Sequence, residues 1–95
     1  MLPMTFEWDE DKNHANIRNH RIDFADVPPL FDGPMVVKLD TRRDYGEERF
    51  IGVGLLHNAV ILVVFVEKRQ TMIRLISARK ATKHERERFQ EEVGH

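Results

Sequence analysis

Basic side chains gather where residues 71–82 (TMIRLISARKAT) pass from a strand pattern into a helix start. Met72, Ile73, Leu75 and Ile76 favour a strand, in which successive side chains turn to opposite faces. Ile73, Leu75 and Ser77 then share one face, and Met72, Arg74 and Ile76 the other. Thr82 opens T-x-x-E (Thr82, Lys83, His84, Glu85), the capping-box pattern that starts a helix. Arg79 and Lys80 fall at the join, where a helix N-terminus favours anions. Guanidinium forks hold phosphate oxygens in pairs, so Arg74 and Arg79 are the leading candidates for a phosphate clamp, with Lys80 and Lys83 beside them. Strict alternation sets Arg74 and Arg79 on opposite faces. Both serve one site only if the strand ends or bulges near residues 77–78. The bland alternatives are an Arg74 paired with a carboxylate such as Glu48, and Arg79 and Lys80 on a solvated strand end.

Proton transfer needs other groups. Glu48 is a candidate general base or an orienter of an arginine, with Arg49, a candidate RNA contact, its neighbour on the opposite face; as a surface salt bridge the pair would contribute little. Histidine is the side chain suited to proton transfer near neutral pH, which makes His20 and His84 candidates for acid–base work. In the plainer reading His20 bonds the loose carbonyls of a helix end and His84 is an exposed helix residue. Lys12 could meet a phosphate and Trp8 could stack on a base, although a helix-face lysine is more often solvated and a lone tryptophan more often core. The five histidines show neither H-x-x-x-H nor H-E-x-x-H spacing, so neither a metal site nor a cofactor is expected.

These residues need elements to carry them. Residues 6–8 form a short candidate strand, and Asp9 caps a helix running to about His20, with Glu10 and Asp11 in its first turn. Lys12, Asn16 and His20 recur along one polar face, and few apolar residues anchor this helix. Asp23 caps a second, shorter helix that Pro28 and Pro29 kink or stop. Asp32-Gly33-Pro34 is a turn. Strands follow at residues 35–39, 48–55, 59–66 and 71–78, with a polar loop at 40–46, a hairpin turn at His57-Asn58 and a last helix from Lys83 to about Val93. Residues 59–66 (AVILVVFV) are apolar on both faces and mark a central strand. Gly52 and Gly54 leave the face of Phe50 low, which suits close approach of a helix or a partner backbone. The expected class is α+β: a small antiparallel sheet of four or five strands, two N-terminal helices and one C-terminal helix.

Ninety-five residues suit a single domain over 1–95, near the size at which one core suffices. Hydrophobic residues make up 41% and charged ones 33%, as in soluble globular proteins rather than disordered chains. Absence of cysteine excludes disulfides and zinc–thiolate sites and agrees with a reducing cytoplasm. No signal peptide or membrane-length apolar run is expected. The net charge of −1 is unevenly spread: residues 1–66 carry net −4 and residues 67–88 net +5. That asymmetry suggests a local anionic contact, not the coating of DNA.

On these residues the chain resembles the BrnT family of bacterial toxins. The resemblance is carried by F-E-W-D-x-x-K-x-x-x-N (Phe6, Glu7, Trp8, Asp9, Lys12, Asn16) with His20, by residues 46–50 (GEERF), by residues 73–82 (IRLISARKAT) and by residues 85–89 (ERERF). It implies a compact RelE-like fold and a metal-independent ribonuclease that slows growth and translation by cutting RNA. It also implies a neighbouring cognate antitoxin of ribbon-helix-helix type that neutralises the toxin, with which it can form a heterotetramer and through which alone it meets operator DNA. Two positions depart from the family pattern: Arg21 stands where members commonly carry Gly, and Pro28-Pro29 interrupts the second helix. The competing reading is a non-catalytic module whose basic strand docks an acidic partner segment. A DNA-binding reading lacks a helix-turn-helix.

Overall fold

The computed structural model describes residues 3–94. Strand β1 (Thr5–Trp8) leads into helix α1 (Glu10–His20), followed by two 3-10 turns at Phe24–Asp26 and Pro28–Asp32. Strands β2 (Met35–Leu39), β3 (Phe50–Leu56), β4 (Ala59–Lys68) and β5 (Met72–Lys80) then precede helix α2 (Lys83–Val93). Asp23 caps the short second helix, accepting from the Ala25 N–H at 2.9 Å, but that helix is 3-10 rather than α and stops after one turn at the prolines. Pro28 opens the second 3-10 turn, whose shorter repeat accommodates a residue without an N–H.

The sheet order is β1-β5-β4-β3-β2. β2 to β5 form the expected antiparallel meander, but β1 lies parallel to β5, so the sheet is mixed rather than antiparallel. The reason is connective: α1 and the whole meander separate β1 from β5, and such a crossover permits parallel pairing. The hairpin turn forms at His57 and Asn58, both at positive φ, as a two-residue turn between twisted strands requires. β4 is the central strand and is buried on both faces over Val60–Val66.

The main core lies on one sheet face. Phe24 and Leu30 from the 3-10 turns, with Val27 between them, pack on Val63, Phe65, Ile73, Leu75 and Ala78. Each of these side chains larger than alanine contributes about 1.5–3 kcal/mol by leaving water. Gly54 admits this layer, since a Cβ there would stand 3.1 Å from Leu30. The opposite face carries Ile51, Leu62 and Val64, with Val53 and Ile76 packed beside them. α2 covers only one end of that second face, through Phe89 against Val60, Val36 and Val53.

α1 docks differently. Its buried residues are Asn13 and Asn16. Asn13 accepts from the Phe24 N–H at 2.9 Å and donates to Asp23 at 3.0 Å. Asn16 accepts from the Ala78 N–H at 3.0 Å and donates to the Ile22 carbonyl at 2.9 Å. β1 has ended by this level of β5, and the Asn16 side chain supplies the acceptor that a strand partner would have given. The helix ends at Arg21, which takes the left-handed conformation (φ 60) that glycine adopts more cheaply.

Candidate functional site

The pairing of β5 with β4 contains a bulge. Val64 pairs with Ser77 and Phe65 with Leu75, leaving Ile76 as the extra residue on β5. The bulge shifts the alternation by one position. Arg74, paired with Val66, and Arg79, paired with Leu62, therefore project from the same face, the one opposite the main core. Arg49 precedes Phe50 at the start of β3 and projects from that face as well.

A polar cleft of about 420 Å³ opens on this face. Arg74 and Ile76 line it from β5, Arg49 and Glu47 from the approach to β3, and Glu7, Trp8, Asp9 and Lys12 from the junction of β1 and α1. Four residues separately singled out in the sequence, Lys12, Trp8, Arg49 and Arg74, thus meet in one place. β1 brings Trp8 alongside Leu75, and the Asp9 cap, which accepts from the Lys12 N–H at 3.1 Å, starts α1 so that Lys12 overhangs the rim. Trp8 packs edge-on against Phe24 and donates its indole N–H to Glu10 at 2.7 Å, so it is both a core residue and a cleft wall.

The charges are partly spoken for. Arg74 Nε donates to Glu7 Oε2 at 2.9 Å, and Lys68 approaches the same oxygen at 3.6 Å. The Arg74 hydrogen bond, helped by Lys68, holds the Glu7 carboxyl below its ordinary range. Glu7, not Glu48, is therefore the partner of Arg74. Arg49 is only half-buried, yet its Nε is buried without a hydrogen-bond partner among the described residues, and its ion pair with Glu47 spans 3.8 Å. The ring of Tyr45 lies 4.2 Å from the Arg49 guanidinium carbon. Tyr45 and Glu47 were missed in the sequence; an aromatic within four residues of an arginine in a polar loop is the signal that was available.

Other candidates lie elsewhere. Arg79 shares the face of Arg74 but is clasped to Glu85 by two hydrogen bonds of 2.9 and 3.0 Å and does not line the cleft. That clasp, together with the Thr82 N–H, draws the Glu85 pKa down to about 2. The hydrogen bonds to Glu85 raise the Arg79 pKa against the effect of burial, and the charge of Arg42 acts in the opposite direction. Glu48 borders a separate shallow depression with Phe50, Glu67 and Arg69. His20 is exposed at the far end of α1, roughly two turns beyond Lys12. Lys80 and Lys83 are exposed around the start of α2, and His84 lines a second, largely apolar cavity of about 240 Å³ beneath that helix. Among the described residues no group of three His, Asp or Glu could hold a metal ion, and no helix is long and apolar enough to cross a membrane.

A cleft that unites three cations, an aromatic wall and carboxylates can grip a phosphodiester and remove a proton beside it. The model of the ribonuclease toxin BrnT of type II toxin–antitoxin systems matches residues 8–85. The chain belongs to the BrnT family. The match spans every cleft residue except Glu7, which lies one position outside it. The crystal structure of the Brucella abortus ribonuclease toxin BrnT superposes with a TM-score of 0.66 at 28% identity, covering 84% of this chain and 99% of that one. No curated relative matches.

Proposed function

We propose that this BrnT-family chain, a RelE-like toxin, is an endoribonuclease that cuts single-stranded RNA in the cleft around Arg74 without a metal. In this reading the ribose 2′-oxygen attacks the adjacent phosphorus, the bond to the 5′-oxygen breaks, and a 2′,3′-cyclic phosphate is left. Arg74 and Arg49 take the non-bridging phosphate oxygens, where charge grows in the transition state. Lys12 holds a neighbouring phosphate and Trp8 offers a face to a base. Glu47, which has no short hydrogen bond within the described residues, accepts the 2′-OH proton. Glu7 is less suited to that step, because Arg74 stabilises its charged form and so weakens it as a base. The leaving 5′-oxygen takes its proton from water in the open cleft. Cleavage of cellular RNA would stop translation and growth, and a cognate antitoxin covering this basic face would prevent it.

The observation that carries the reading is the convergence of Lys12, Arg49, Arg74 and Trp8 from four separate segments. Purified protein is expected to cleave RNA in EDTA. Arg74→Ala should lower the rate about 10²–10³-fold with an unchanged far-ultraviolet spectrum, as for loss of one transition-state donor. A second reading, a non-catalytic module docking an acidic segment, draws on Arg74 and Arg79 each already holding a carboxylate. It predicts no cleavage with or without ribosomes, and partner binding that weakens in Arg74→Ala.

A further inference from the structure

Tyr45 is the chain's one tyrosine, and the loop that carries it is braced from within. The buried Asp40 accepts from Arg42 Nε and Nη2, each at 2.8 Å, and from the Arg42 backbone N–H at 3.2 Å. The Asp40 N–H donates to the Arg49 carbonyl at 2.7 Å, tying the two ends of the loop together. Between them Asp44 accepts from the Gly46 N–H at 2.9 Å, closing a turn in which Gly46 takes φ 74. This frame sets the half-buried Tyr45 ring against Arg49, with 4.2 Å from guanidinium carbon to ring centroid.

Arg49 and Arg74 are held by unlike means. Arg74 spends its Nε hydrogen on Glu7 at 2.9 Å. Arg49 has no carboxylate oxygen within hydrogen-bond length, and its buried Nε has no partner among the described residues. An aromatic face attracts a guanidinium through the ring quadrupole and consumes none of its N–H donors. Stacking therefore orients the fork and, with Nε buried, leaves the terminal Nη donors for a ligand, which a bidentate carboxylate partner would occupy. An arginine so held is pre-organised for a phosphate.

We propose that Tyr45 is a positioning residue whose ring fixes the Arg49 guanidinium in the cleft with its donors unspent for an RNA phosphate. The proposal rests on the ribonuclease reading and gives Arg49 its means of action. Tyr45 acts on Arg49 through its ring, while its hydroxyl faces Asp40 and Arg42 within the brace of the loop, and the positioning role has no work to do once Arg49 is gone.

The test is a double-mutant cycle with two readouts: cleavage of a single-stranded oligoribonucleotide, and binding of its uncleavable 2′-O-methyl counterpart followed by Trp8 fluorescence. Tyr45→Leu should weaken both about tenfold, a modest cation–π loss. Tyr45→Phe should recover most of that loss. In the Arg49→Ala background Tyr45→Leu should add nothing. An equal loss in both backgrounds would show that the ring only supports the loop, and a Tyr45→Phe defect as deep as that of Tyr45→Leu would show that the hydroxyl acts; either overturns the proposal. Wild type that neither binds nor cuts overturns the ribonuclease reading itself, whereas an active wild type indifferent to Tyr45→Leu overturns the positioning role alone.

Discussion

Asn16 does not line the cleft, yet the cleft depends on it. Its amide satisfies the Ala78 N–H where β5 has lost β1 as a neighbour, two residues past the bulged Ile76. With the Ile22 carbonyl on its other side, it joins helix, loop and bulge in one hydrogen-bonded unit. Asn16→Leu fits the buried volume but leaves a buried N–H unpaired, so it should cost about 1–3 kcal/mol of stability. Urea unfolding checks this, and Asn19→Leu, at an exposed position on the same helix, is the control. Lys12 and Asn16 share a helix face in sequence, yet one reaches the rim of the cleft and the other is buried.

At the scale of elements, α2 is the most lightly held. Phe89 is its one buried residue, and its first turn is secured by the Thr82–Glu85 capping box and the Arg79–Glu85 clasp. Glu85 has a folded-state pKa of about 2, below the ordinary 4.5. A depressed carboxylate pKa contributes stability that is complete above the unfolded value and is lost as pH falls through the folded one. The stability difference between wild type and Glu85→Gln should therefore be largest above about pH 4.5, on the order of 1–2 kcal/mol for a partly exposed pair. It should vanish towards pH 2. Circular dichroism melts of both proteins across that window measure it. A difference that is flat with pH would mean the clasp contributes nothing. The proposed cleft lies beyond α2, so fraying of this helix should leave Arg74 and Arg49 in place.

For the whole molecule, the sheet divides the labour. One face is sealed by the 3-10 turns and forms the core; the other keeps an apolar floor of Ile51, Leu62 and Val64 with Arg49, Arg74 and Arg79 around it. Net charge is −1, so the proposed attraction for RNA would be local to this face rather than general. If Lys12, Arg49 and Arg74 each neutralise one phosphate, the logarithm of RNA affinity should fall against the logarithm of salt with a slope of about −2. Removing any one of the three should flatten the slope by about 0.7. Titrations of the uncleavable oligonucleotide between low and physiological salt give that number directly.

Much of this protein is written in local pattern. The apolar run of β4, the Asp9 and Thr82 caps and the His57-Asn58 turn depend on neighbours a few residues apart, and the motif order that marks the BrnT family is a matter of linear sequence, so all were legible from the chain alone. Long-range geometry was not. The parallel seat of β1 set Glu7 rather than Glu48 on Arg74, and the bulge at Ile76 brought Arg74 and Arg79 to one face. The folded loop then stacked Tyr45 on Arg49. Side-chain alternation has a period of two, so one inserted residue reverses every later assignment. Only pairing with a distant strand reveals the insertion.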